Sequence, residues 1–229
     1  MSTSADLSTE LTVAVIAKEC LPGRVKTRLT PPLSPETAAA LAQLSLSRTL
    51  GTVRSLPARH RLLVMDGTPA PRDAAQFTVV PQAAGGLDER LAAICDAVTG
   101  PLLILGMDTP QVSPAHLSAL FEDWSADTPR HGAWLGPATD GGFWALALRR
   151  PDGALLRGIP MSTNTTGAAQ HARLAGAGLE VGVLPELRDM DHFSDAVQIA
   201  AAIPGTDFAR AVTAAAATAA SAPAAGTRP

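Results

Sequence analysis

The stretch Leu11–Ala17, LTVAVIA, is a continuous apolar, β-branched run. Such a run fits a strand buried on both faces, as in a parallel sheet. Parallel strands need crossover helices, and the chain supplies them in order. Ser34 opens SPETAAALAQLSLSRTL, with a capping serine, proline at the first helical position, glutamate in the first turn and an apolar stripe. His60–Gly67 and Phe77–Gln82 read as strands, Leu87–Val98 as a helix, Pro101–Asp108 as a strand and Ser113–Trp124 as a second Ser-Pro-capped helix. This alternation predicts an α/β fold: a doubly wound, mostly parallel sheet of about seven strands with helices on both faces.

After Trp124 the rhythm changes. Gly132–Leu148, GAWLGPATDGGFWALAL, holds two short strands around a Gly-rich turn with no room for a helix, so one of them is expected to run antiparallel. Thr165–Gly178 reads as a helix ending at glycine, Leu179–Glu186 as a strand and His192–Pro204 as the last helix. Residues 1–10 read as a flexible N-terminus and 11–208 as one α/β domain. Residues 209–229, almost only Ala, Thr, Ser, Pro and Gly, read as a disordered or weakly helical tail outside the site.

Bulk properties narrow the classes. A formal charge of −3 argues against a nucleic-acid binder. Cys20 and Cys95 lack metal-type spacing, which suits a reduced, cytoplasmic protein. The polar start Met1–Glu10 lacks the features of a signal peptide, and no apolar run approaches the ~20 residues of a membrane helix.

In a doubly wound sheet, ligands bind beyond the carboxyl ends of the strands. The first strand ends in Lys18 and ECLPGRVKTRLTPPL, which crowds Arg24, Lys26 and Arg28 beside Pro22 and Gly23. A polyphosphate would find point charge, guanidinium forks and an approachable backbone there; a solvated basic turn is the alternative. The fourth strand ends in GMDTP with Asp108, a place for a hard cation, or else a turn aspartate. RDMD sets Asp189 and Asp191 on one side of an extended segment and Met190 on the other, with helix capping as the alternative. Asp140 in GPATDGG sits beside Gly141 and Gly142, fit for a hydroxylated acceptor or a plain turn. Cations and carboxylates from distant segments thus meet at one sheet edge. That combination suits a nucleotide polyphosphate with a divalent metal, Mg2+ or Mn2+.

The ordered set K-x3-PGRVKTRL-x-P-x-L, Q-x2-GG-LDERL, LGMDTP, GPATDGGFWALAL and LRDMDHFSDA resembles uncharacterised glycosyltransferase-A-like members of the nucleotide-diphospho-sugar transferase superfamily. It also looks like the guanylyltransferases that activate 2-phospholactate or phosphoenolpyruvate in deazaflavin cofactor synthesis. The resemblance spans about Thr12–Pro204. It implies that Pro22, Gly23, Arg24, Lys26 and Arg28 wrap the nucleotide phosphates, with Lys18, Thr27, Gln82 and Gly86 also on the nucleotide. It implies a metal on Asp108 and Asp191, catalytic roles for Lys26, Asp108 and Asp191, and an acceptor near Asp140, Gly141, Gly142 and Thr163. Phe143-Trp144 and Met161 depart from the Tyr-Tyr and tryptophan found in many relatives.

The resulting expectation is metal-dependent nucleotidyl transfer from an NTP to a small phosphorylated or acidic acceptor, releasing pyrophosphate. Glycosyl transfer from a nucleotide sugar is the alternative, and a non-catalytic nucleotide binder the third. The expected partners are nucleotide and small acceptor, with no nucleic acid and no membrane insertion, in a monomer or homodimer.

Overall fold

The computed structural model describes residues 10–221. Its first strand, β1 (Thr12–Lys18), is buried from Thr12 to Val15 on both faces, as its apolar run requires. Seven strands form one sheet in the order β3-β2-β1-β4-β6-β5-β7. They are β1, β2 (His60–Asp66), β3 (Thr78–Pro81), β4 (Leu102–Gly106), β5 (Ala133–Pro137), β6 (Phe143–Leu148) and β7 (Val181–Val183). Only β6 runs against its neighbours, pairing antiparallel with β4 and β5. The tight turn after β5 thereby returns the chain without a crossover helix.

The helices are α1 (Pro35–Ser55), the single turn α2 (Pro71–Ala74), α3 (Leu87–Ala97), α4 (Ser118–Trp124), α5 (Thr166–Gly176), α6 (Phe193–Ala202) and α7 (Asp207–Ser221). Helix α1 starts where Ser34 Oγ accepts from the Thr37 amide at 3.2 Å. It stops at Leu56, which is extended ahead of Pro57 as the following ring demands.

Two apolar clusters sandwich the sheet. Leu46, Leu50 and Val53 of α1 join Leu120 and Trp124 of α4 on one face. Leu91 and Cys95 of α3 join Leu174 of α5 on the other. A third cluster lies behind α1. There Leu29, Leu41, Met190, Ile199 and Phe208 meet, all essentially without solvent contact.

That third cluster corrects the expectation that the chain from residue 209 is a disordered or weakly helical tail. Residues 207–221 form α7, whose Phe208, Val212 and Ala215 recur at helical spacing and are buried with α1 and α6. Alanine favours helix intrinsically, and those apolar side chains dock it. Residues 1–9 and 222–229, where the flexible terminus and the end of the tail were expected, lie outside the described residues. Among the described residues, no helix is long and apolar enough to cross a membrane.

Candidate active site

Helix α1 fixes one wall of the site with polar side chains. Ser45 Oγ donates to the Met107 carbonyl at 2.6 Å, Arg48 Nε to Pro110 O at 2.9 Å and Thr52 Oγ1 to Val112 O at 3.0 Å. The loop after β4, which carries Asp108, is therefore held at three of its carbonyls. The acidic segment is tied to it in turn, because the Met190 amide donates to Asp108 O at 3.0 Å. With Met190 buried in the third cluster, alternation turns Asp189 and Asp191 outward.

The basic loop is anchored by the same cluster. Leu29 ends a 3₁₀ turn over Thr27–Leu29 and is fully buried, which brings Lys26 and Arg28 to the acidic segment. Lys26 Nζ lies 2.8 Å from Asp108 Oδ2 and 3.0 Å from Asp191 Oδ1, with only 10% of its side chain exposed. Arg28 Nη1 donates to Asp191 Oδ2 at 2.9 Å. Burial alone would depress the Lys26 pKa, but Asp108 and Asp191 outweigh it and hold the ammonium above its ordinary value. Asp191 shows the counterpart: burial pushes its pKa up, yet Lys26 and Arg28 bring it below the usual carboxylate value. The Lys26 backbone is left-handed, with φ 48°, an unfavourable conformation for a non-glycine residue that the flanking burial of Val25 and Leu29 enforces.

The sequence led us to expect a metal shared by Asp108 and Asp191. In the structure the Lys26 ammonium occupies the space between those two carboxylates. The carboxylates that come together are instead Asp140, Asp189 and Asp191, whose oxygens lie within 4.8 Å of one another. Their crowding is costly. Burial, then the charges of Asp140 and Asp191, push the Asp189 carboxyl up to about 6. Hard oxygen donors from three carboxylates fit Mg2+ or Mn2+, whose charge would relieve that repulsion.

A cavity of about 450 Å³ opens over these groups. Of the residues expected from sequence, Lys18, Arg28, Gln82, Asp108, Asp140, Gly142, Thr163 and Asp191 line it. Lys26 stands behind, joined to Asp108 and Asp191. Pro22, Gly23, Arg24 and Thr27 are exposed on the outer part of the loop and do not reach the cavity. Gly86 caps α3 beside the lining residue Leu87. Gly141 adopts φ +89°, and a β-carbon there would lie 2.1 Å from the Asn164 carbonyl oxygen, so only glycine fits. Its carbonyl accepts from the Gly167 amide at 2.8 Å, which docks the start of α5 on the turn. Gly142 donates its amide to Asp140 Oδ1 at 2.7 Å.

Sequence reasoning missed Arg90 and gave Asp189 no place among the metal ligands. Arg90, on α3, lines the cavity, but in LDERL it looks like any exposed helical charge. The signal for Asp189 was its two-residue spacing from Asp191. Neither cysteine is activated: burial pushes both Cys20 and Cys95 thiols up to about 12. Trp144 is buried in the core, with its indole N–H donating to Pro185 O at 3.0 Å.

A family model described as an uncharacterized protein conserved in bacteria, DUF2064, matches residues 49–163, half of the 229-residue chain. The chain belongs to the DUF2064 family. The DUF2064 segment carries Gln82, Arg90, Asp108 and Asp140, while Lys26, Arg28, Asp189 and Asp191 come from the flanking sequence. No curated protein matches the chain.

Solved structures share its fold. A protein from Desulfovibrio desulfuricans G20, provisionally assigned as a nucleotide-diphospho-sugar transferase, superposes with a TM-score of 0.77 at 21% identity over 92% of this chain and 96% of its own. A CMP:2-keto-3-deoxy-manno-octonic acid synthetase bound to CTP has a TM-score of 0.50 at 13% identity, over 81% of this chain and 94% of its own. The glucosyl-3-phosphoglycerate synthase of Mycobacterium tuberculosis, bound to Mn2+, UDP and glucosyl-3-phosphoglycerate, has a TM-score of 0.52 at 11% identity, over 95% of this chain and 82% of its own. This DUF2064 protein therefore has the α/β fold of the nucleotide-diphospho-sugar transferases, a fold that serves nucleotidyl and glycosyl transfer alike.

Proposed function

We propose that this protein is a metal-dependent nucleotidyltransferase that joins an NTP to a small phosphorylated or acidic acceptor and releases pyrophosphate. One observation carries the reading. A buried lysine and an arginine from the first loop meet carboxylates from two later strand ends at the lip of a nucleotide-sized cavity. That charge set suits a triphosphate, which needs more neutralisation than the diphosphate of a nucleotide sugar. The resemblance to 2-phospholactate guanylyltransferases supports a phosphorylated acid as the acceptor class.

Arg28 binds the phosphates, and Lys26 behind it adds positive charge, as the acceptor oxygen forms its bond to the α-phosphorus and the α–β bridging bond breaks. Asp191, with Asp140 and Asp189, would hold Mg2+ or Mn2+, which supplies further charge neutralisation at the phosphates. Asp108 keeps Lys26 ionised and aimed. Thr163 and the Gly141–Gly142 turn face the acceptor from the far side of the cavity. No nucleophilic side chain is required, because the work is positioning and electrostatics.

The test is pyrophosphate release from each NTP with a panel of phosphorylated acids, in Mg2+, Mn2+ and EDTA. The expected result is metal-dependent pyrophosphate with at least one pair. Release of a nucleoside diphosphate from a nucleotide sugar, with no pyrophosphate from any NTP, would replace the reading with glycosyl transfer.

A further inference from the structure

Resting on the nucleotide reading above, we propose that Arg90 grips the nucleobase and favours bases whose bound edge carries a carbonyl oxygen over those with an amino group there. Arg90 lines the cavity from the first turns of α3 and is unusually well held for a long side chain. Its Nε donates to Gly85 O at 3.0 Å and its Nη1 to Gln82 Oε1 at 3.1 Å. Gln82 is itself locked, with its Nε2 donating to Ala17 O at 2.7 Å and Val64 O at 3.3 Å. Every polar atom of the Gln82 side chain is thus spent inside the protein. Gln82 acts as a positioning residue for Arg90 rather than as the direct nucleotide contact expected from its motif. Among the described residues, Arg90 Nη2 makes no hydrogen bond, which leaves its N–H groups for a ligand.

The sheet order separates this end from the phosphate end. Asp66, at the end of β2, lies 3.9 Å from both Lys18 Nζ and Arg90 Nη1, which marks the β1–β2 side. Lys26, Arg28 and the three clustered carboxylates stand with the ends of β4, β5 and β7. A nucleotide with its phosphates on the latter group extends its base toward Arg90. The walls there suit a ring face, because Ile16, Leu87 and Leu91 line them, and Asp66 offsets part of the local positive charge. A guanidinium has five donors and no acceptor, so Arg90 presents only N–H groups to a base edge. A base amino group set against that guanidinium would oppose donor to donor and lose its hydrogen bond there. Guanine and uracil carry an oxygen where adenine and cytosine carry an amino group.

The test is calorimetric titration of the full chain in Mg2+ with GTP, UTP, ATP, CTP and inorganic tripolyphosphate, for wild type, Arg90→Gln and Arg90→Lys. Wild type should bind GTP and UTP ~10-fold or more tighter than ATP and CTP. Both variants should lose ~10- to 100-fold for GTP and UTP, bringing the four nucleotides together, with tripolyphosphate unchanged within about twofold. Arg90→Lys keeps the stem and charge but not the fork, so its loss cannot be ascribed to misfolding while tripolyphosphate still binds. Equal losses for tripolyphosphate would make Arg90 a phosphate ligand and overturn the inference. So would a wild type that prefers ATP and CTP or treats all four alike, or nucleotide binding that survives both variants unchanged. A wild type that binds no nucleotide would overturn the functional reading together with this one.

Discussion

Lys26 Nζ donates to Asp191 Oδ1 at 3.0 Å across 165 positions of sequence. Each member of the pair holds the other ionised. Lys26→Ala should cost ~1–3 kcal/mol of folding stability, since Asp108 and Asp191 would be left facing each other without their shared cation. Lys26→Ala and Arg28→Ala should each weaken triphosphate binding by ~1.5–3 kcal/mol, with a smaller loss for a monophosphate. Denaturant melts and titrations with NTP, NDP and NMP measure both effects. Equal, near-zero losses for all three ligands would remove the loop from phosphate binding.

Asp189 sets a pH dependence. Its carboxyl is raised to about 6 in the fold, above its ordinary 3.8. The folded state therefore binds the proton more tightly than the unfolded chain does. The stability this group contributes is fully present below pH 3.8 and is lost as pH rises through about 6. In EDTA, Asp189→Asn should raise the melting temperature at pH 7 and leave it nearly unchanged at pH 3.5–4. Mn2+ should stabilise wild type more at pH 7 than at pH 5, and the variant little at either. A pH-independent effect of the substitution would show that neither burial nor the neighbouring carboxylates raise the Asp189 pKa.

The tail helix gives a third prediction. Phe208 is fully buried with Leu29 and Met190, the apolar neighbours of Arg28 and Asp191. Phe208→Ala should cost ~3–5 kcal/mol. It should also weaken triphosphate binding, because both charged segments rest on that cluster. Among the described residues, deleting 214–229 removes only Ala215 from the cluster, and should cost on the order of 1 kcal/mol. Urea melts paired with titrations compare the two changes.

Gly141 gives the fourth. Any β-carbon there meets the Asn164 backbone, and φ +89° is unfavourable for every other residue. Gly141→Ala should destabilise by ~2–4 kcal/mol. It should also lower Mn2+ affinity at a temperature where the variant is still folded, since the turn carries Asp140. An unchanged Mn2+ affinity would separate Asp140 from the metal site.

Local patterns made much of the architecture readable. The apolar run at β1, the Ser34 cap of α1 and the short Gly-Gly turn between β5 and β6 each rest on a few neighbouring residues, and each stands in the structure as its sequence predicts. The site was readable as strand ends but not as partners. Nothing local distinguishes a metal between Asp108 and Asp191 from a lysine there, because Lys26 reaches them only once Leu29 and Met190 share a cluster. The tail was misread because alanine dominated its composition, although Phe208 and Val212 stand one helical turn apart. Arg90 was invisible because its role depends on Gln82, which lies in the loop between β3 and α3.

The three hydrogen bonds from Ser45, Arg48 and Thr52 to carbonyls after β4 make α1 a chassis. The loop bearing Asp108 is bolted to it, and the basic loop runs directly into it. Opposite charges are thereby mounted on one rigid part, and their spacing is decided when the domain folds rather than when a ligand arrives. A substrate meeting this edge encounters a finished mould.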